Sequence, residues 1–468
     1  MIGRIGLLAA ALLAAVGGLA RPASLQAQSV DRCPISIRRA GPRVERPDPE
    51  REGATTAFIS GPVTITCGDA EMTGDSAVWR QVEETGLMIG NVRYRDTTRT
   101  LNSERLTFYG ARNEVVATGS VRLVRIANQA KLEGPRVSFT RTPFVGSRTV
   151  ATGRPRMTLP ASRTGRGAGP ETIVDADVAE FVGESEASAD GNVVMTRGTI
   201  RATAARAIFS ETAARAVMYE EAVISGEGFD LAGDSIAAEF ELGDLRSIHA
   251  FEGATATGQR FRLLADQIRA RLAGEQVELI WAFGEGRSLA SSARLTLAGD
   301  SIEFAFIDGV ADSVSAIGTA AAEQEMGPAD PLSITPGPDS VPAPTPETED
   351  SAAGPGTGLA EPTLGIDPGS SWIAGDTVRA WFEPDPSAIG GPDSSTGGDA
   401  RIRRLRALGD ARSFFAAVRD STRSVDPSRN YLLGSTIQID FEEGEPQTLS
   451  GTDAIGVYLE PAEEEDRG

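Results

Sequence analysis

The stretch "EVVATGSVRL", Glu114 to Leu123, sets a short apolar run, then a glycine, then apolar and polar residues in strict alternation. The same phrase is written earlier as "GLMIGNVRYRD", Gly86 to Asp96, and later as "ASADGNVVM", Ala187 to Met195. Residues two apart share one face of a strand, whereas a helix would scatter them, so the phrase is a strand with an apolar and a wet face. A second phrase follows each copy: a small residue, often with Asp or Ser beside it, and then apolar residues at every other position. It reads "GDSAVW" from Gly74, "SERLTF" from Ser103, "ARAIF" from Ala205, "GDSIAAEF" from Gly233, "ADQIRARL" from Ala265, "GDSIEFAF" from Gly299, "GDTVRAWF" from Gly375 and "GSTIQIDF" from Gly434.

Where no insertion intervenes the copies recur about every 30 residues, a period that marks a repeat architecture. Each repeat is read as two strands and a reversal, with Gly and Asp at strand starts supplying the turns, and the whole as one elongated all-β array. The alternation nominates one apolar face: Val92, Tyr94, Leu106, Phe108, Val121, Leu123, Val137, Phe139, Ile208, Ile236, Phe240, Ile268, Leu272, Ile302, Phe304, Phe306, Ile437, Ile439 and Phe441. Such a strip must be covered by another sheet or by a ligand. Alternation is compatible with both a dry sandwich core and a ligand groove.

The ends and interruptions set the domain plan. Arg4 precedes an apolar stretch from Ile5 to Ala20, and "SLQAQS" supplies a cleavage site after Ala27, so residues 1–27 are expected to be an export signal. Residues 28–60 form an N-terminal arm, 61–321 the main repeats, 322–370 a Pro/Gly/Ala-rich disordered linker, 371–461 further repeats and 462–468 an acidic tail. Cys33 and Cys67 are the only cysteines, and in an oxidising compartment an even pair points to one disulfide holding the arm to the first strand region. Two cysteines and one histidine do not make a zinc site, and no metal or cofactor is expected.

Charge and chemistry exclude further classes. A net charge of -21 leaves no patch for a phosphate backbone, which argues against a nucleic-acid partner. Asp75, Asp234, Asp266, Asp300 and Asp376 recur in the second phrase, yet the nonapeptide of calcium-binding rolls is missing and turn chemistry accounts for a repeated Asp. His249 reads as a strand residue and anchors no catalytic triad. Trp281, Trp372 and Trp381 are suited to stacking on a sugar or, more commonly, to strand packing. No catalytic residues are nominated.

The strings "GNVRYRD", "LNSERLTFYGARNEVVATGSVRL", "AGDSIAAEF" and "NYLLGSTIQIDFEEGEPQTLSGTDAIGVYLEP" resemble the OstA-like, LptA-type family of lipopolysaccharide-transport proteins, from about Cys67 to Pro461 without the linker. The resemblance implies a twisted, partly open β-jellyroll whose apolar groove carries acyl chains. It further implies end-to-end joining, by edge-strand addition, with other jellyroll proteins between the two membranes. Outer-membrane relatives add a large C-terminal barrel for which this chain has no room, so the expectation is a periplasmic, non-enzymatic bridge, with association at the outer membrane as a variant. Its ligand would be lipopolysaccharide or a related glycolipid. Two other classes stay open: a structural β-repeat envelope or surface protein without a lipid ligand, and a β-solenoid enzyme acting on polysaccharide, which would need a convergent carboxylate pair.

Overall fold

A computed structural model describes residues 35–47, 53–140, 148–160, 170–241, 243–258, 261–274, 276–292, 295–307, 309–324, 371–384, 400–417, 428–442 and 445–459. In chain order the strands are β1 Ile35–Arg39, β2 Arg43–Pro47, β3 Thr55–Cys67, β4 Ala70–Arg80, β5 Thr85–Arg95, β6 Arg99–Tyr109, β7 Glu114–Arg125, β8 Lys131–Thr140, β9 Arg148–Thr152, β10 Arg156–Leu159, β11 Thr172–Asp175, β12 Val178–Val182, β13 Glu186–Arg197 and β14 Ile200–Ser210. They continue as β15 Arg215–Gly226, β16 Phe229–Glu241, β17 Asp244–Gly258, β18 Arg262–Ala273, β19 Gln276–Phe283, β20 Ser288–Ser291, β21 Leu295–Gly299, β22 Ser301–Ile307, β23 Val310–Gln324, β24 Ser371–Pro384, β25 Ala400–Ala417, β26 Ser428–Glu442, β27 Glu445–Thr452 and β28 Ile455–Leu459. All belong to one antiparallel sheet, and the one helical turn among the described residues, Gly110–Arg112, sits between β6 and β7.

The long strands, such as β3 to β8 and β13 to β18, bend in their middle and carry on. At the bend of β5, Gly90 and Asn91 both take left-handed backbone (φ 77° and 46°), as do Gly191 and Asn192 of β13 and Gly318 and Thr319 of β23. The register shows the consequence. From Asp190 to Val193 β13 advances three residues, while β14 opposite moves two, from Arg206 to Ala204. One residue is extra, which is a β-bulge, and a bulge bends its strand and increases the local twist. The neighbouring strand answers with the second phrase of the repeat. Asp75 accepts a hydrogen bond from Asn91 Nδ2 at 2.7 Å, and Asp177 accepts one from Asn192 Nδ2 at 2.7 Å. Thr319 Oγ1 donates to Asp300 at 3.4 Å.

This corrects the reading of Gly-Asp as a strand start. Gly233 and Asp234 lie within β16, Gly375 and Asp376 within β24, and Gly74 and Asp75 within β4. These residues build corners, and the chain reversals fall elsewhere, as at residues 96–98 and 126–130.

Each corner divides a strand between two layers. Residues 63–67, 70–74, 92–95 and 99–103 pair in layer I, and 56–60, 76–80, 85–89 and 105–109 pair in layer II. β1, β10, β11, β20, β21 and β28 complete layer I; β2, β9, β12, β19, β22 and β27 complete layer II. The layers fold over one another: Tyr94 of layer I meets Phe139 of layer II edge to face, ring centroids 5.2 Å apart. Between them runs one buried cluster from Ile59 to Phe441. The result is an elongated, repeat-built β-jellyroll.

Two boundaries differ from the sequence plan. β3 begins at Thr55 and the arm contributes β1 and β2, because the chain crosses between the layers at Gly41 and Pro42, beside the left-handed Gly61 of β3, and the Ser60 amide donates to the Pro42 carbonyl at 3.0 Å. β23 runs to Gln324 and pairs with β24, so the repeats after residue 370 continue the main array. The export signal, most of the linker and the acidic tail lie outside the described residues, as does Cys33.

Candidate functional site

The interior between the layers is built by how each strand steps across its corner. On β6, Leu101 and Ser103 face inward, and after the corner Leu106 and Phe108 do so; the step across the bend is three residues instead of two. On β7 the extra residue is absorbed by the Gly119–Ser120 pair, so Val115, Ala117, Val121 and Leu123 keep one parity. Both halves of every bent strand therefore turn their apolar side chains to the same space.

Of the apolar face nominated from the sequence, every residue except Ile208, Phe240 and Phe306 is buried. Phe240 and Phe306 are half-buried and pack on the core. Ile208 lies on the other face of β14, because Ala207 and Phe209 are the residues that turn inward after the corner. The sequence reading missed interior residues on the other half of nominated strands, among them Leu101, Leu132 and Leu263, and on strands it passed over, among them Met157, Phe181 and Met218. Alternation was visible there too, but the phase change at the corner hid that both halves serve one interior. Many inward positions are alanine, including Ala117, Ala151, Ala207, Ala250 and Ala316, which lets the layers approach closely.

The mouth of the interior, opposite the corners, is closed by cross-layer contacts. Arg99 donates from Nη1 to Thr149 Oγ1 at 2.9 Å and lies over Phe139, 4.6 Å from the ring centroid. Arg125 donates to the Gly183 carbonyl and lies 4.6 Å over Phe181. Arg197 donates to the Gly243 carbonyl and lies 5.3 Å over Phe240. Further along, Phe261 stacks on Phe304 at 4.7 Å. Asn128 Nδ2 adds a bond to Glu211 at 3.0 Å between turns of the two layers.

Charge at the mouth is arranged with care for desolvation. Asp96 and Arg99 form an ion pair at 3.4 Å with side chains only 5% and 6% exposed. Burial pushes the Asp96 carboxyl up, but hydrogen bonds from Tyr94 and Thr98 and the charge of Arg99 outweigh it and hold it below the usual carboxylate value. Burial pulls the Arg125 guanidinium below its ordinary value, against the favourable field of Glu211, though an arginine stays charged throughout.

The residues discounted in the sequence lie on the outer surface. His249 rests against Phe251, ring centroids 3.9 Å apart, bonds Gln267 at 3.1 Å, and is held below the usual histidine value chiefly by burial. Trp281 is 42% exposed, and Trp381 lines an outer depression of about 370 Å³ with Glu303, Arg379 and Arg406. Trp372 packs with Phe414 and Tyr431. Cys67 is disulfide-bonded. Among the described residues no helix is long and apolar enough to cross a membrane.

Residues 50–243 match the family model described as LptA/(LptD N-terminal domain) LPS transport protein. That family is one of transport components. The bulged corner of this LptA/LptD-type part recurs beyond it, at Gly318–Thr319 of β23 and Gly409–Asp410 of β25. Among solved structures, the chain is similar to LptH, the LptA-homologous periplasmic component of the lipopolysaccharide transport device of Pseudomonas aeruginosa. Identity is 18% over 24% of this chain and 78% of that one, with a TM-score of 0.20. No curated protein matches the chain.

Proposed function

We propose that this protein is a non-enzymatic periplasmic component of a lipopolysaccharide-transport bridge, carrying lipopolysaccharide or a related glycolipid toward the outer membrane with its acyl chains between the two layers. The observation that carries the reading is the coincidence of an LPS-transport family match with an apolar interior that continues without interruption from β3 to β26. Burial of a twelve-carbon chain would supply about 10 kcal/mol at ~0.8 kcal/mol per methylene. That gain stands against the cost of parting two packed layers. Directional movement needs work from outside, supplied by other parts of the bridge. Neighbouring jellyroll proteins join at the end strands, where unpaired backbone groups accept another strand. A Cys33–Cys67 bond fits the same picture, because Ile35 is the register partner of Cys67 and the bond would hold β1 to the first repeat.

Photo-crosslinking tests the reading. A photoreactive residue at Phe304, which is buried, is expected to capture lipopolysaccharide, and one at Glu303, which faces out on the same strand, is not. Equal capture from both faces, or from neither, would leave a dry core and a structural role.

A further inference from the structure

Carboxylates are plentiful in a chain of net charge -21, and on the outer faces of the sheet they neutralise arginines across the ladder. Arg122 lies opposite Glu133, Arg156 opposite Asp175 and Arg404 opposite Asp440, and each pair is ion-paired, at 3.1, 2.8 and 2.6 Å. One outward row on layer II breaks this pattern. Across β19, β22, β23, β24, β25 and β26 it runs Trp281, Glu303, Ser315, Arg379, Arg406 and Gln438, so two guanidinium groups stand directly opposite each other. Like charges so placed destabilise a sheet. Arg379 donates to Ser313 Oγ at 3.3 Å and lies 5.0 Å over the Trp381 ring, which holds its charge beside Arg406.

The same row lines the outer depression of about 370 Å³. Ser315 and Thr377 bring hydroxyls to it, Glu303 a carboxylate, Arg379 and Arg406 cations, and Trp381 an aromatic ring. Trp281, 42% exposed and 4.5 Å from Phe283, extends the row one strand further. From Trp281 to Arg406 it crosses four strand spacings, roughly 19 Å. The chemistry selects the occupant. β22, β23, β24 and β25 are each paired on both sides here, so no peptide strand can be added. A bilayer would have to bury Glu303, Arg379 and Arg406, at the cost of taking charge out of water. A sugar ring offers an apolar C–H face to an aromatic ring and hydroxyls to the polar groups around it, which is the mixture this row presents. Two cations against one carboxylate add a preference for acid groups, which planar guanidinium groups take up bidentately. We propose that this outer face binds an acidic saccharide chain, with Trp281 and Trp381 as stacking platforms and Arg379 and Arg406 holding its carboxylates. The sheet itself separates this face from the interior, so the occupant is the saccharide without lipid, and the inference is independent of the lipid reading above.

The test titrates the full chain calorimetrically with hexagalacturonate, with neutral maltohexaose and with inorganic phosphate. The wild type is expected to bind hexagalacturonate about tenfold more tightly than maltohexaose. Arg379→Gln/Arg406→Gln should bring the two affinities within about twofold by weakening the acid alone. Trp281→Ala/Trp381→Ala should weaken both saccharides about tenfold. Circular dichroism must show the wild-type thermal transition, and relief of the opposed charges should leave the Gln variant at least as stable as the wild type. Where Trp381→Ala lowers the transition, Trp281→Ala alone carries the stacking test. Failure of the wild type to bind either saccharide would overturn the site. So would unchanged binding in the folded variants, or inorganic phosphate displacing hexagalacturonate at equal concentration, which would mark a simple ion site. None of these outcomes touches capture of lipopolysaccharide at Phe304, so the transport reading stands or falls separately.

Discussion

At the scale of the residue, the corner is the feature on which the rest depends. Gly318 has φ 77°, and a Cβ there would come 2.2 Å from the Asp300 carboxylate. Gly253, at the β17 corner with φ 64°, has nothing within 4 Å of the same point. Both substitutions to alanine pay for left-handed backbone, about 1 kcal/mol or somewhat more. Only Gly318→Ala must also displace the carboxylate that receives Thr319. Gly318→Ala is therefore expected to lower the urea midpoint of the full chain clearly more than Gly253→Ala, with equal shifts counting against a steric role for the recurring Asp. The Asp was legible in the sequence as backbone chemistry and was placed wrongly along the strand, because a turn and a bulge both call for Gly beside Asp.

At the scale of the element, the C-terminal edge lies further out than the strand phrases indicate. Ile439 of β26 is buried and pairs with Leu405 on one side and Leu449 on the other, so β26 is an interior strand. The edges are β27 and β28, and Ile455, Val457 and Leu459 of β28 are exposed. Proline at Ile439 is expected to disrupt the last repeats themselves, by removing a ladder donor from the middle of a sheet. Truncation after Asp453, which removes β28, should leave the thermal transition nearly in place and abolish capture of a purified LptA-type neighbour. Capture that survives the truncation would move docking to β27 or to the N-terminal end, where β1 and β2 are the edges. The weak alternation of "IGVYL" gave no sign of an edge role, since a strand's neighbours are decided by where the chain goes next.

At the scale of the whole molecule, the repeats on either side of residues 325–370 form one sheet, with Gln324 and Ser371 directly opposite each other. Two strand ends so placed can be joined by a hairpin of a few residues. Deleting Gly327 to Gly369 leaves Glu325, Met326 and Ser370 as the connection and removes a tract with no apolar periodicity. The thermal transition is expected to stay within a few degrees of the wild type, read by circular dichroism on both proteins. A drop well beyond that would mean the tract contributes structure its composition does not announce. That the later repeats continue the earlier ones was not legible in the sequence, because pairing across such an insertion leaves no local mark.

The sequence by itself determined that this chain is made of strands, that they repeat, and, on some of them, which apolar residues turn inward. Those are consequences of a period of two and of glycines that only tight backbone needs, and both are local. Tertiary structure alone decided that the long strands are bent, that their two halves face each other, and that the space between them is latched along one side. The latching pairs are 50 residues apart for Arg99 and Thr149, 58 for Arg125 and Gly183, and 46 for Arg197 and Gly243. Which turn of one layer meets which turn of the other depends on the twist accumulated over the intervening strands, and no short stretch of sequence contains it.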